Sequence, residues 1–273
     1  MASIKLTPVL KTLLTLKRPQ PVACPPLAKL HALFDATLAE AQQHNAPRGW
    51  LVLSTSALVS SNVPEGVSQL YRYTTANKPF PERVEDAELM REAALKCIEF
   101  IGAPRSIISL TSLHGAIEDE VKTGLRTKSL RTIDANTYQK FTDMGRQLWD
   151  SVYEPHQDKL LAKLGSFHPD FPAFIIQSYG NLLAPVGTAR EVPGTLGRAL
   201  TSVLGAAALR AEEGVGPQLV SHVFGLLKAR GWPGETEEDK WLTSDEGAEW
   251  VLRTTDRITE LVRGGDVDIR AKL

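Results

Sequence analysis

Cysteine is scarce in this chain of 273 residues, which contains only Cys24 and Cys97. Neither belongs to a Cys-x-x-Cys or metal-ligand pattern. A disulfide framework is therefore not expected, and a reducing compartment is the simpler interpretation. The helical pattern places Cys97 among apolar residues, which favours a buried hydrophobic role over a reactive thiol.

Long apolar runs and strong net charge are missing as well. No stretch approaches the roughly 18 to 20 apolar residues of a membrane-spanning helix. The formal net charge of −1 provides no global field for nucleic acid. The histidines form no metal-ligand pattern, and no glycine-rich phosphate loop is present. We therefore expect a soluble protein with no membrane span, no nucleic-acid partner, no metal and no cofactor.

Acidic residues are absent from residues 1–34, although this segment carries five lysines and arginines. Its apolar residues gather on one side of a helical wheel, from Ile4 to Leu16. A basic, amphipathic segment of this kind is typical of a mitochondrial presequence, which predicts a mitochondrial location. The alternative is an N-terminal helix packed on the body of a cytoplasmic protein.

Apolar residues at helical spacing dominate the rest of the chain. Asn62 is a candidate helix cap, and Gly102 with Pro104 predicts a left-handed turn between two helices. Because no credible strand pair is found, the predicted fold class is all-α. Helices are expected near residues 27–44, 50–59, 64–77, 85–101, 104–118, 138–149, 155–164, 170–183, 196–212, 216–230 and 244–263.

An internal repeat is indicated by two similar stretches, residues 57–71 and 208–224. Each reads as an apolar helix, a short turn with proline, and an amphipathic helix, and the pairing aligns Gln69 with His222. A helical hairpin used twice predicts two stacked units. We therefore divide the chain into a basic segment (1–34), a first helical unit (35–137) and a second (138–273).

Three segments resemble the carboxymuconolactone decarboxylase / alkylhydroperoxidase D-like (AhpD-like) family. Residues 91–110 place Gly102-Ala-Pro104 between two helices, as in the family's helix–Gly-x-Pro–helix segment. Residues 145–153, with the later Tyr179-Gly180, look like the lead-in to the family core. Pro217-Gln-Leu-Val-Ser-His-Val-Phe-Gly225 is similar to its Pro-x-Leu-x-x-His-x-x-Gly helix. The resemblance implies an all-helical AhpD-like fold, a helical-hairpin core and a homo-oligomer.

The chain departs from the family at the cysteines. The peroxidase branch uses a Cys-x-x-Cys pair, whereas the corresponding helices here, 51–58 and 204–209, contain none. Thiol peroxidase activity by that route is therefore disfavoured. The second unit also lacks a Gly-x-Pro segment after its last helix.

The resemblance singles out His222 and Glu92 as candidate catalytic residues. A decarboxylase or isomerase would use His222 as a general acid/base with a pKa near neutral. The alternative is a half-buried structural histidine bonded to a backbone carbonyl. Glu92 stands where the family often carries a helix glutamate, but its position on the wheel favours a solvated face.

Arg105, Tyr71 and His114 are the candidate substrate-binding residues. Arg105 lies at a helix start, where free N–H groups could help it to hold an anion, although a surface arginine is the simpler interpretation. Tyr71 could donate a hydrogen bond in a pocket, although core tyrosines are commoner. His114 shares a helix face with apolar residues, which favours packing.

Two functions follow from these residues. The first is a cofactor-free decarboxylase-like enzyme that acts on a small organic acid or lactone by general acid/base chemistry. The second is a non-catalytic helical scaffold or assembly protein that kept the fold and lost the active site.

Overall fold

The computed structural model describes residues 4–15, 20–188 and 191–265, which form helices and no strand. The all-α prediction is confirmed. The helices are α1 (Pro8–Thr15), α2 (Leu27–Gln43), α3 (Pro47–Ser60), α4 (Pro64–Thr75), α5 (Phe80–Lys96), α6 (Ile98–Ile101), α7 (Ala103–Ala116), α8 (Asp119–Gly124), α9 (Tyr138–Tyr153), α10 (Gln157–Phe167), α11 (Phe171–Ser178), a π-helical segment (Tyr179–Leu183), α12 (Arg198–Ala211), α13 (Gly216–Leu227), α14 (Glu237–Leu242) and α15 (Asp245–Val262).

Two buried helices, α3 and α12, form the centre of the fold. All of α3 from Gly49 onward is buried, and so is nearly all of α12. Both carry apolar or small residues on every side, as a helix surrounded by other helices requires. They pack against each other, and α5 and α15 pack on the pair.

Each central helix is followed by a partner that begins with proline. Pro64 lies in the first turn of α4 and Pro217 in the first turn of α13, where a missing N–H costs no hydrogen bond. Asn62 does not cap α4 as expected: it adopts a left-handed φ of 57° just after α3 ends. That the hairpins α3–α4 and α12–α13 are copies of one unit stays a prediction.

The turn predicted from Gly102-Ala-Pro104 is present. Gly102 has a φ of 78°, in the region that favours glycine, and it separates α6 from α7. Pro104 lies in the first turn of α7. This turn links α6 to α7. Two residues of α6, Glu99 and Phe100, belong to the candidate site.

A smaller apolar cluster is formed by α9, α10, α11 and the π-helical segment. Trp149 and Tyr179 are among its buried residues, and Phe100 of α6 packs against both this cluster and the main core. The candidate site lies at this junction.

The N-terminal part of the chain contains two different kinds of helix. None of the residues of α1 is buried. In contrast, α2 crosses residue 34, and Leu30, Leu33 and Phe34 are fully buried in the main core. The predicted boundary at residue 34 therefore falls inside a packed helix. Within the described residues, no helix is long and apolar enough to cross a membrane.

Candidate functional site

His222 of α13 lies buried against α12, with 6% of its surface exposed. The room for its ring comes from Gly205, because a Cβ at that position would lie 2.8 Å from the imidazole Nδ1. The Phe100 ring packs against the imidazole in a T-shaped arrangement, with ring centroids 5.0 Å apart and planes at 89°. Three different helices therefore fix the ring.

Two tyrosine hydroxyls face the imidazole. The Nε2 atom of His222 lies 3.4 Å from the hydroxyl oxygen of Tyr153 and 3.4 Å from that of Tyr179. The two hydroxyls hydrogen bond with each other at 2.9 Å. The contacts of Nε2 are therefore to hydroxyls and not to a backbone carbonyl, and at 3.4 Å they are weak in this state.

Burial keeps the His222 imidazole neutral. Loss of solvation, together with a smaller effect of the positive charge of Arg198, lowers its pKa from 6.5 to about 4. The structure thus differs from the expectation of a pKa near neutral. Burial also raises the pKa of Tyr153 and of Tyr179, so both phenols stay protonated at physiological pH.

The group in this region that titrates near neutral pH is Glu99 of α6. Burial raises the pKa of its carboxyl to about 7, although a hydrogen bond from the Ser178 hydroxyl at 3.0 Å opposes the shift. The charge of Glu99 acts on both Tyr153 and Tyr179. We refer to Glu99, Tyr153, Tyr179 and His222 as the tyrosine–histidine cluster.

An open groove with a volume of about 570 Å³ lies beside this cluster, and Tyr153 forms part of its wall. The groove runs between the C-terminal end of α9, α10 and α13. Its apolar lining residues include Val152, Leu160 and Phe224. Three lysines also line it: Lys159, Lys163 and Lys228. An apolar wall with a few cationic groups is typical of a site for a small anionic molecule.

Glu92 is buried, and the prediction of a solvated face is wrong. Arg131 forms a two-pronged ion pair with its carboxylate, with Nη1 3.2 Å from Oε2. The ammonium of Lys96 lies 3.8 Å away and donates to the carbonyl of Leu183 at 2.6 Å. The connection after α8 and the π-helical segment cover this face of α5, which the pattern of one helix cannot show.

The three predicted substrate-binding residues lie elsewhere. Arg105 is already paired with the carboxylate of Glu212. The Tyr71 hydroxyl donates to Glu118 at 2.6 Å. His114 is exposed on α7. The structure does not bring these residues to the tyrosine–histidine cluster.

Sequence reasoning missed several residues of the site. Tyr153 and Tyr179 belong to the segments that carry the family resemblance, and that position was the only sign in the sequence that they belong to a site. Glu99 and Arg198 gave no indication, because charged residues in short or amphipathic helices usually face solvent. Among the described residues, no three His, Cys, Asp or Glu side chains are grouped so as to hold a metal ion.

Comparison with known proteins identifies no relative: no family model, no curated protein and no solved structure matches the chain.

Proposed function

We propose that this chain is an AhpD-like, carboxymuconolactone decarboxylase-like enzyme that acts on a small organic acid or lactone by general acid/base chemistry. One observation carries the proposal: Tyr153 lines the open groove while its hydroxyl contacts both Tyr179 and His222. A general acid or base must lie within hydrogen-bond reach of the substrate, and its polar partners help to set its protonation state.

Each member of the tyrosine–histidine cluster has a distinct role in this proposal. Tyr153 is the catalytic residue, because it is the member of the cluster that lines the groove. Tyr179 and His222 contact its hydroxyl, and Tyr153 gives its proton to the substrate and recovers one from the solvent of the open groove. The charge of Glu99 acts on both phenols, and its carboxyl, with a pKa of about 7, changes charge at neutral pH. His222 therefore acts here as a neutral imidazole.

The groove supports an acid as the substrate. Lys159 and Lys163 are exposed at its wall and offer positive charge to a carboxylate, while Phe224 and Leu160 offer apolar contact to the carbon skeleton. Lys228 is held by the carbonyls of Val152 and Glu154 at 2.9 and 2.6 Å. In this proposal the lysines of the groove, and not Arg105, provide the positive charge that binds the substrate carboxylate.

The scaffold alternative is favoured by one observation. His222 is almost fully buried. A buried polar network can stabilise helix packing without any catalytic role. In that case Val220 and Phe224, which are more than half exposed on α13, would form an assembly surface. The homo-oligomer implied by the family resemblance is proposed on the same face.

A proton-exchange assay tests the enzymatic proposal. Small carboxylic acids and lactones are incubated in D2O with the wild-type chain, and ¹H NMR follows deuterium uptake at carbon and loss of the carboxylate. We expect Tyr153→Phe to reduce the rate by about 100-fold or more, the usual contribution of an acid/base group.

Tyr138→Phe is the matched control, because this tyrosine lies on the same helix and is 49% exposed. Equal rates for the Tyr153 and Tyr138 variants would contradict the proposal. Absence of both turnover and binding across the panel would favour the scaffold, which size-exclusion chromatography and pull-downs would then examine.

We also propose a mitochondrial location, with a cytoplasmic one as the alternative. The support is the basic, acid-free composition of residues 1–34 and the absence of buried residues from α1. Because Leu30 and Leu33 belong to the core, we expect any cleavage to occur before α2 begins at Leu27. Organelle fractionation with intact-mass measurement tests this, and an intact chain in the cytosol would contradict it.

A further inference from the structure

Arg198, the first residue of α12, is a buried arginine that no carboxylate accompanies among the described residues. Its guanidinium instead donates to neutral groups on two other helices. On α9 it donates to the Ser151 hydroxyl at 2.9 Å and to the Ser151 carbonyl at 3.2 Å. On α13 it donates to the carbonyl of Gly225 at 2.9 Å.

These acceptors lie next to the residues of the site. Ser151 precedes Tyr153 by two positions on α9, and Gly225 follows His222 by three positions, or about one turn, on α13. One guanidinium nitrogen, Nη2, donates to both helices. The guanidinium therefore bridges α9 and α13 at the level of the tyrosine–histidine cluster, whereas the second tie between these helices, from Lys228 to the carbonyls of Val152 and Glu154, lies at their ends.

We propose that Arg198 is a positioning residue: its guanidinium ties α9 to α13 and so holds the Tyr153 hydroxyl at the His222 imidazole. It touches neither the groove nor the reacting atoms. The proposal rests on the proposed function for its catalytic meaning, but its geometry can be tested without any substrate.

The chemistry of the side chain explains why an arginine occupies this place. A buried charge without a counter-ion is costly, so an apolar residue would fill the same volume more favourably. A planar fork of donors, however, reaches the two carbonyls and the hydroxyls of Ser151 and Ser202 at once, which an ammonium cannot. The guanidinium carbon of Arg198 lies 5.8 Å from the ring centroid of Trp232, and this cation–π contact restrains the arginine further.

The charge of Arg198 has a second effect on the same site. The polar groups that face His222 are Tyr153 from α9 and Tyr179 from the π-helical segment, with Glu99 nearby on α6. Of the charged groups, Arg198 is the one that shifts the His222 pKa, and it lowers it. The positioning residue thus also favours the neutral imidazole.

Two variants separate the geometry from the charge. Arg198→Lys keeps the positive charge but loses the fork, and Arg198→Met loses both. Arg210→Met is the matched control, because Arg210 lies on the same helix in a solvent-accessible ion pair with Asp256 at 2.7 Å. Circular dichroism checks that each variant is folded.

NMR of the full chain supplies two readouts, both on the His222 C2 proton, which is assigned by its loss in His222→Gln. The first is its nuclear Overhauser effect to the Tyr153 ring, whose centroid lies 6.2 Å from that of the imidazole. We expect this effect in the wild type and in Arg210→Met, and its loss in Arg198→Lys and Arg198→Met.

The second readout is the pH titration of the same proton. Arg198→Met should raise the His222 pKa above about 4, though not to 6.5, because burial is the larger cause and remains. Arg198→Lys should leave it lower than in Arg198→Met. If Arg198→Met does not fold, Arg198→Lys carries the test of geometry.

An unchanged Overhauser effect in folded Arg198→Lys would overturn the positioning role. Loss of the Overhauser effect would support the positioning role, even if no acid in the panel is turned over. Failure of the proposed enzymatic function and failure of the positioning role are therefore distinguishable.

Discussion

Gly205→Ala gives a direct test of how tightly the site is packed. A methyl group at this position would lie 2.8 Å from the His222 Nδ1 and 3.1 Å from the Phe100 ring. Both neighbours are rigid rings held by other helices, so neither can turn away without moving its own helix. We expect the imidazole to be pushed from the two tyrosine hydroxyls.

The magnitude follows from two opposing terms. Alanine favours a helix interior over glycine by about 1 kcal/mol. Overpacking in a filled core costs about 1 to 3 kcal/mol, and contact with two rings places this site in the upper part of that range. The expected net change is a loss of about 1 to 2 kcal/mol in the free energy of unfolding.

Urea denaturation measures this change, and Gly115→Ala is the control. Gly115 is an exposed residue of α7 with nothing within 4 Å of an added Cβ, so the same substitution should stabilise the chain by up to about 1 kcal/mol. If Gly205→Ala were as stable as Gly115→Ala and left the His222 NMR titration unchanged, the packing argument would be refuted.

Two further predictions concern the ion pairs around α5. Arg131→Met should cost about 3 kcal/mol of unfolding free energy, because it leaves the buried Glu92 carboxylate without its closest cation, whereas Arg253→Met should cost under about 0.5 kcal/mol at an exposed pair. Equal losses in urea denaturation would contradict this. Burial lowers the folded-state pKa of Lys96 from 10.5 to about 7, so the folded chain releases this proton before the unfolded chain does. The wild type should therefore gain stability as pH rises from 7 to 9, relative to Lys96→Met, and parallel pH dependences of the two would count against it.

Much of the helical architecture follows from local properties of the chain. The apolar periodicity of residues 85–101 and 138–149 predicts helices that the structure contains as α5 with α6 and as α9. The turn between α6 and α7 was predicted from Gly102, which tolerates a positive φ, and from Pro104, which favours the first turn of a helix. Both preferences are local. The helices α8 and α14 were not predicted, since helices of six residues depend on caps and on tertiary contacts.

Fold class, long helices and the turn at Gly102 can thus be predicted from local patterns, because hydrophobic period and backbone preference act within a few residues. The candidate site, in contrast, depends on how distant helices pack. Tyr153, Tyr179 and His222 come from three separate elements, and their contacts span 26 to 69 positions along the chain. Glu92 became buried because a distant connection covers its face, and Glu99 owes its raised pKa to neighbours from elsewhere in the chain. Burial, and with it the charge state of each group, is a property of the assembled helices.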